Sequence, residues 1–265
     1  MKAKMKKTIL VTGAGSGIGV AVAERLAADG ARVVVTDCDA ASAERASARI
    51  RERGGAAWSL MLDVTSEADW ERCWQEANSL AGDIQVLVNN AAIDPTGDSL
   101  ETLSFANWRR SLTVNLDGVF LGIRAAIRAM KHLPPPGGNI INMSSIYGLV
   151  GVANAPDYAA AKGAVTLLTK SAALECCHFG YPIRVNSVHP GFVHTPMLDR
   201  GLEKLANAKI VGDKDQGMNL YANLHPMGRV AQPSEIAAAV AFIASEDASF
   251  MTGSELVVDG GYTAR

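Results

Sequence analysis

Thr8-Ile9-Leu10-Val11-Thr12-Gly13-Ala14-Gly15-Ser16-Gly17-Ile18-Gly19 is the stretch on which the fold turns. Thr8–Thr12 reads as a strand, and the alanine-rich run Ile18–Asp29 reads as a helix, so the glycines sit between a strand and a helix. Glycine permits positive φ and lets backbone N–H groups approach a pyrophosphate, and the helix start adds the positive end of its macrodipole. Read from Gly13, Gly17 and Gly19 the spacing is G-x-x-x-G-x-G; the third glycine of G-x-G-x-x-G would fall on Val20. Alone, the same pattern also describes a tight strand-to-helix turn without a ligand.

Outward from this turn the chain alternates short β-branched runs with longer helical patterns. Strands are expected at Arg32–Asp37, Ala57–Leu62, Ile84–Asn89, Asn139–Met143, Ile183–Val188 and Ser254–Val258. Helices are expected at Ala40–Arg53, Glu67–Leu80, Phe105–His132, Asp157–Phe179 and Pro233–Ser245. Strongly apolar strands joined through helices predict a parallel sheet covered on both faces, hence one α/β domain over residues 1–265 of Rossmann-type, doubly wound topology. Residues 195–226 break the alternation and are long for a connection, which marks a lid.

Composition agrees. At 265 residues with 48% hydrophobic and 20% charged residues, the chain can bury a full core. No run of about 18 apolar residues calls for a membrane span. The basic start Met1–Lys7 lacks an apolar region behind it, so no secretory signal is expected. A net charge of −2 argues against nucleic acid as the main partner. Cys38, Cys73, Cys176 and Cys177 form no C-x-x-C pair, and reduced thiols in a cytoplasm are the expectation. The five histidines show no metal-ligand spacing, so no catalytic metal is expected.

The second strand ends at Asp37, 18 residues after Gly19. A carboxylate there accepts hydrogen bonds from a ribose diol and repels a 2′-phosphate. With Ser16 uncharged and no basic residue before Arg45, the expected cofactor is NAD. Tyr158 and Lys162 lie four apart on one helical face. An ammonium ~5 Å from a phenol at an effective dielectric of ~20 favours phenolate by roughly 3 kcal/mol, or about 2 pK units. Thirteen residues before Tyr158, Ser145 follows the fifth strand on the ligand edge of an open sheet, placed to polarise a carbonyl or hold an alcohol oxygen.

Together, Thr12–Gly19, Asn89-Asn90-Ala91-Ala92, Asn115, Ser145, Tyr158, Lys162 and Pro190-Gly191 resemble the short-chain dehydrogenase/reductase family from about Lys7 to the C-terminus. The resemblance implies Tyr158 as general acid/base, Lys162 lowering its pKa and binding the nicotinamide ribose, Ser145 orienting the substrate oxygen, and Asn115 supporting a water that links the lysine to solvent. It implies a cofactor site of Gly13, Ser16, Gly17, Ile18, Gly19, Asp37, Asp63, Val64, Asn89, Ala91, Tyr158, Lys162, Pro190, Gly191, Val193 and Thr195. Ala92 replaces the usual glycine of N-N-A-G, which would remove backbone freedom if the turn needs it. A homotetramer is also implied, through the two long helices and the last strand.

Substrate contacts are expected from Ser145, Tyr147 and Tyr158, in a pocket built from Asp94–Gly97, Ile146–Ala155, Phe192 and the lid, whose Met197, Leu198, Leu202, Leu205, Ile210, Met218, Leu220, Tyr221 and Leu224 suit a bulky apolar alcohol or ketone. The segments Gly180–Pro190 and Met251–Leu256 look similar to bacterial hydroxysteroid and alicyclic-alcohol dehydrogenases. The readings set against this are an NADP-dependent 3-oxoacyl-carrier-protein reductase, a sugar or polyol dehydrogenase, and a non-catalytic dinucleotide-binding module. His189 and His194 read as strand-end polar residues without a catalytic role.

Overall fold

The computed structural model describes residues 5–264; Met1–Lys4 of the basic start, and Arg265, lie outside the described residues. The strands are β1 (Thr8–Val11), β2 (Arg32–Asp37), β3 (Ala56–Met61), β4 (Ile84–Asn89), β5 (Gly138–Met143), β6 (Ile183–Pro190) and β7 (Glu255–Val258). The helices are α1 (Gly17–Ala28), α2 (Ala40–Glu52), α3 (Glu67–Ala81), α4 (Phe105–Leu112), α5 (Gly118–Met130), α6 (Pro156–His178), α7 (Pro196–Asn207), α8 (Lys214–Asn223) and α9 (Pro233–Ala244). All strand pairs are parallel, in the order β3-β2-β1-β4-β5-β6-β7. Every strand's carboxyl end therefore lies on one edge, and chain order reverses between β1 and β4, where open α/β sheets form a crevice.

Side-chain alternation along each strand builds two cores. Ile9, Val11, Val33, Val35, Val86 and Val88 pack against Val22 of α1, Ala43 of α2 and Ile236 of α9. Leu10, Val34, Leu87, Ile140 and Val185 pack against Trp70 of α3, Ile123 of α5 and Val165 of α6. Helix starts follow local chemistry. Ser66 accepts the Asp69 N–H ahead of α3, Pro156 opens α6, and Gln232 with Glu235 forms a capping box on α9.

Two expectations are corrected. The single helix expected at Phe105–His132 is two helices, α4 and α5, joined by a π-helical turn at Thr113–Asp117. The widened turn shifts the helical register at Asn115, whose side-chain oxygen accepts the Ile93 N–H at 2.9 Å. The strand expected to stop at Val188 continues through His189 and Pro190, because these pair with Val257 and Val258 of β7. Residues 195–226 fold into α7 and α8, capped by Thr195 and Asp213.

A Cβ at Gly122 would stand 2.2 Å from Asn89 Oδ1 and 2.9 Å from the Trp70 ring, so only glycine lets α5 lie this close to β4 and α3. Gly201, in α7, has nothing within 4 Å of its added Cβ. Gly122→Ala should therefore destabilise the fold by about 1–3 kcal/mol. Gly201→Ala should stabilise it by up to about 1 kcal/mol. Thermal unfolding of the two variants beside the parent checks the opposite signs, and a Gly122→Ala melting point at or above the parent value would refute the packing argument.

Candidate active site

The site assembles because β1, β4, β5 and β6 deliver their last residues to one edge. At the β1–α1 turn, Gly13 and Gly17 have φ of 60° and 56°. A Cβ at Gly13 would stand 2.7 Å from the Ala91 backbone, and one at Gly19 would stand 2.3 Å from the Gly13 carbonyl. Ser16, the N-cap of α1, makes no side-chain capping bond, so the first-turn amides of Gly17, Ile18 and Gly19 remain donors at a helix N-terminus. Asp37 bounds this cradle: its Oδ2 accepts the Gly15 N–H at 2.9 Å. Thr195 approaches from the other side, 3.5 Å from where a Gly17 Cβ would stand. A glycine cradle, helix-start donors and an acidic side chain at the β2 end fit a nicotinamide dinucleotide.

The other residues expected at the cofactor divide. Val64 is buried, and its carbonyl accepts the Trp70 indole N–H at 3.0 Å. The Asp63 carboxylate holds its own turn, accepting the Thr65 N–H and hydroxyl at 2.9 and 2.7 Å. Asn89 points into the sheet, donating to Asn142 at 2.8 Å, so its side chain braces β4 against β5. The contact with the glycine turn comes instead from Asn90, whose amide donates to the Thr12 and Gly13 carbonyls at 2.9 and 3.1 Å. Ala92 is at ease: among the described residues only Asn154 and Lys209 are non-glycines with positive φ. Val193 forms a bridge with Ala231, and Gly191 follows Pro190 where a Cβ would meet His225 Nε2 at 2.7 Å.

Ser145, Tyr158, Lys162 and Asn115 are brought to the same edge. Lys162 is 2% exposed; its ammonium donates to the Met143 carbonyl at 2.8 Å and lies 5.5 Å from the Tyr158 ring centre. Ser145 starts a short 3₁₀ turn, its hydroxyl accepting the Tyr147 N–H at 3.2 Å. Asn115 holds both the N–H and the carbonyl of Ile93, at 2.9 and 3.3 Å. The electrostatics correct the expectation of a lowered tyrosine. Burial pushes the Tyr158 phenol up to about 12, a hydrogen bond with Ser145 pulls it back, and the charge of Asp94 adds to the rise. Burial lowers Lys162 to about 8. Burial is thus the largest influence on the phenol in the chain alone.

The substrate side is aromatic. Phe192 stacks on Tyr221 of α8 at 4.1 Å, and Tyr147 meets Phe192 and Tyr262 edge-on at 6.0 and 6.5 Å. The lid's aliphatic complement is smaller than expected, because Leu198 and Leu202 form the lid's own core with Val230. Ile210 and Leu220 face solvent. Phe192, Met218 and Tyr221 pack beside that core.

Several residues here escaped the sequence reading. Tyr262 completes the aromatic wall from the last turn of the chain. His225 is buried, donating through Nδ1 to the Tyr221 carbonyl at 2.8 Å and accepting the Phe192 N–H on Nε2 at 3.2 Å. His189, read as a bland strand-end residue, is fully buried with Nδ1 3.1 Å from the Ser145 carbonyl and Nε2 2.8 Å from the Ser187 hydroxyl. Its place beside Pro190-Gly191 at a strand's carboxyl end was the available signal. Ser144 donates to the Lys162 carbonyl at 3.0 Å.

A family model described as enoyl-(acyl carrier protein) reductase matches residues 13–263. The NADP-dependent (R)-specific alcohol dehydrogenase of Lentilactobacillus kefiri is 39% identical over 263 residues, 98% of this chain and 97% of that protein. The cyclopentanol dehydrogenase of Comamonas testosteroni is 43% identical over 258 residues, 97% of each chain. The crystal structure of an actinorhodin polyketide ketoreductase variant with NADPH matches at a TM-score of 0.92, with 33% identity and the whole of both chains covered. With the glycine turn, the serine, the tyrosine and the lysine inside these end-to-end matches, the chain belongs to the short-chain dehydrogenase/reductase family.

Proposed function

We propose that this chain is an NAD-dependent oxidoreductase that interconverts a secondary alcohol on an alicyclic ring, of the cyclic-alcohol or hydroxysteroid class, and its ketone. The observation that carries the reading is the convergence of Ser145, Tyr158 and Lys162 beside the glycine cradle, faced by the aromatic wall of Tyr147, Phe192, Tyr221 and Tyr262. A bound nicotinamide dinucleotide supplies the hydride acceptor or donor. The chain's own residues orient the substrate and move the proton. The Ser145 hydroxyl holds the substrate oxygen next to Tyr158 Oη. In oxidation Tyr158 takes the alcohol proton, and in reduction it returns a proton to the carbonyl oxygen. Lys162, lowered to about 8, exchanges a proton near neutral pH and passes it outward on the side of Asn115.

Because burial holds the phenol high, alcohol oxidation should climb as pH rises, and ketone reduction should climb as it falls. Tyr158→Phe should lower turnover by about 10²–10⁴-fold, the usual share of general acid/base catalysis, with cofactor binding retained. Initial rates across pH, with cofactor titration by fluorescence, read both. Unchanged turnover in Tyr158→Phe would sink the assigned chemistry and favour the reading as a non-catalytic binding module.

NAD is supported by Asp37, whose carboxylate is bonded to the glycine turn. The second reading, an NADP-dependent ketone reductase, is favoured by the NADP-dependent relative and the NADPH-containing neighbour. Placing a phosphate against a carboxylate with no cationic partner costs several kcal/mol, so NAD should exceed NADP by about a hundredfold or more in kcat/KM. Asp37→Ser should erase most of that preference. Rates measured with both cofactors on cyclopentanol, cyclohexanol, hydroxysteroids, polyols and acyl thioesters decide. NADP-dependent turnover of an acyl thioester would move the protein to carrier-protein reduction.

The assembly that fits is a homotetramer. Phe105, Phe120, Leu167 and Leu174 leave one set of apolar residues exposed on α4, α5 and α6, and Phe242, Phe250 and Val257 expose another around α9 and β7. Sedimentation should give four chains, and Leu174→Glu should reduce the assembly; a monomeric parent protein would refute the assignment. Four free cysteines suit the reducing conditions of a cytoplasm.

A further inference from the structure

Asp94 lies in the irregular segment between β4 and α4, one residue after Ile93, which Asn115 holds. Its two carboxylate oxygens receive the Arg200 fork from α7, Nε on Oδ2 and Nη2 on Oδ1, both at 2.8 Å. One turn further along α7, Lys204 donates to the Pro95 carbonyl at 3.3 Å. The acidic neighbours of Arg200 on its own helix face other groups: Glu203 pairs with Lys214, and Asp199 lies 3.8 Å from His194. Arg200 is thus committed to Asp94. The Asp94 side chain is the less exposed partner, 21% against 55%, and its charge reaches the Tyr158 phenol. The pair is neutral overall, with its carboxylate on the Tyr158 side.

We infer that Asp94 and Arg200 form a charge-neutral gate that restricts the cleft to uncharged ring alcohols, with Asp94 filling the anion site that Arg200 would otherwise offer a ring carboxylate. The inference rests on the dehydrogenase reading above. A planar guanidinium recognises any carboxylate through the same two parallel bonds. Asp94, tethered in the chain, holds that position without the loss of freedom that a substrate carboxylate would bear on binding. An anionic substrate meets an occupied guanidinium and a like charge together, which is how specificity is built by repulsion as well as attraction. A neutral ring meets no net charge.

The test compares cyclohexanol with 4-hydroxycyclohexanecarboxylate in the wild-type enzyme, Asp94→Ala, Arg200→Gln and the double variant. Asp94→Ala should raise the carboxylate-to-cyclohexanol ratio of kcat/KM by about tenfold, through KM for the acid, since a bidentate charged pair replaces a repulsion in a partly exposed site. Arg200→Gln should lower the ratio. The double variant should return near the wild-type ratio, because neither charge remains. A second readout needs no turnover: cyclohexanecarboxylate should raise the melting temperature of Asp94→Ala and leave the wild type unmoved. A ratio constant within twofold across all variants, or equal stabilisation of the wild type and Asp94→Ala, overturns the gate. Absence of turnover on either alcohol with selective stabilisation of Asp94→Ala overturns the dehydrogenase reading and leaves the gate standing.

Discussion

An ammonium buried to 2% exposure has to find an acceptor, and for Lys162 that acceptor is the Met143 carbonyl at the end of β5. This bond fixes the rotation of α6 against the sheet. Ser144 reinforces it from the strand side by donating to the Lys162 carbonyl and meeting the Thr166 hydroxyl at 3.0 Å. With α6 held at that angle, Tyr158 one turn earlier and Ser145 just beyond β5 cannot drift apart. His189 adds a third support, since its imidazole meets the Ser145 carbonyl from the neighbouring strand. Burial lowers the pKa of this histidine, and a neutral ring that donates through Nδ1 is the form that makes that bond.

The sheet was legible because its strands are apolar on both faces and its turns carry glycine, proline or aspartate. The reactive residues were legible because Tyr158 and Lys162 share a helical face and Ser145 follows a strand. The π turn at Asn115 was not. Nothing in Thr113–Asp117 is a helix breaker, and the widening becomes necessary only when Asn115 reaches Ile93 and Gly118 packs on Val64, where an added Cβ would stand 2.8 Å away. Both are long-range contacts. The same holds for Asn89 and Asn90, adjacent and chemically identical: strand alternation turns the first into the sheet and leaves the second for the glycine turn.

The lid misled by composition. Its leucines and isoleucine look like a large apolar pocket lining, yet a two-helix excursion needs a core of its own. Leu198 and Leu202 supply that core. Beside that core stand Phe192, Met218 and Tyr221, and the Phe192 and Tyr221 rings stack on each other. Tyr262 joins them from the far end of the sequence, where no local pattern distinguishes a pocket residue from a tail residue.

The polar anchors at the two ends of this lid differ in kind. At its far end His225 satisfies both ring nitrogens, on the Tyr221 carbonyl and the Phe192 N–H, and only the Nδ1–H tautomer can do both. That anchor is buried and neutral, and it ties α8 to the residue on which Tyr221 stacks, so the aromatic wall and the lid are set together. At its near end the anchor is ionic and half-exposed, between Arg200 and Asp94. A neutral, buried bond is insensitive to salt, whereas a half-exposed ion pair is screened by it.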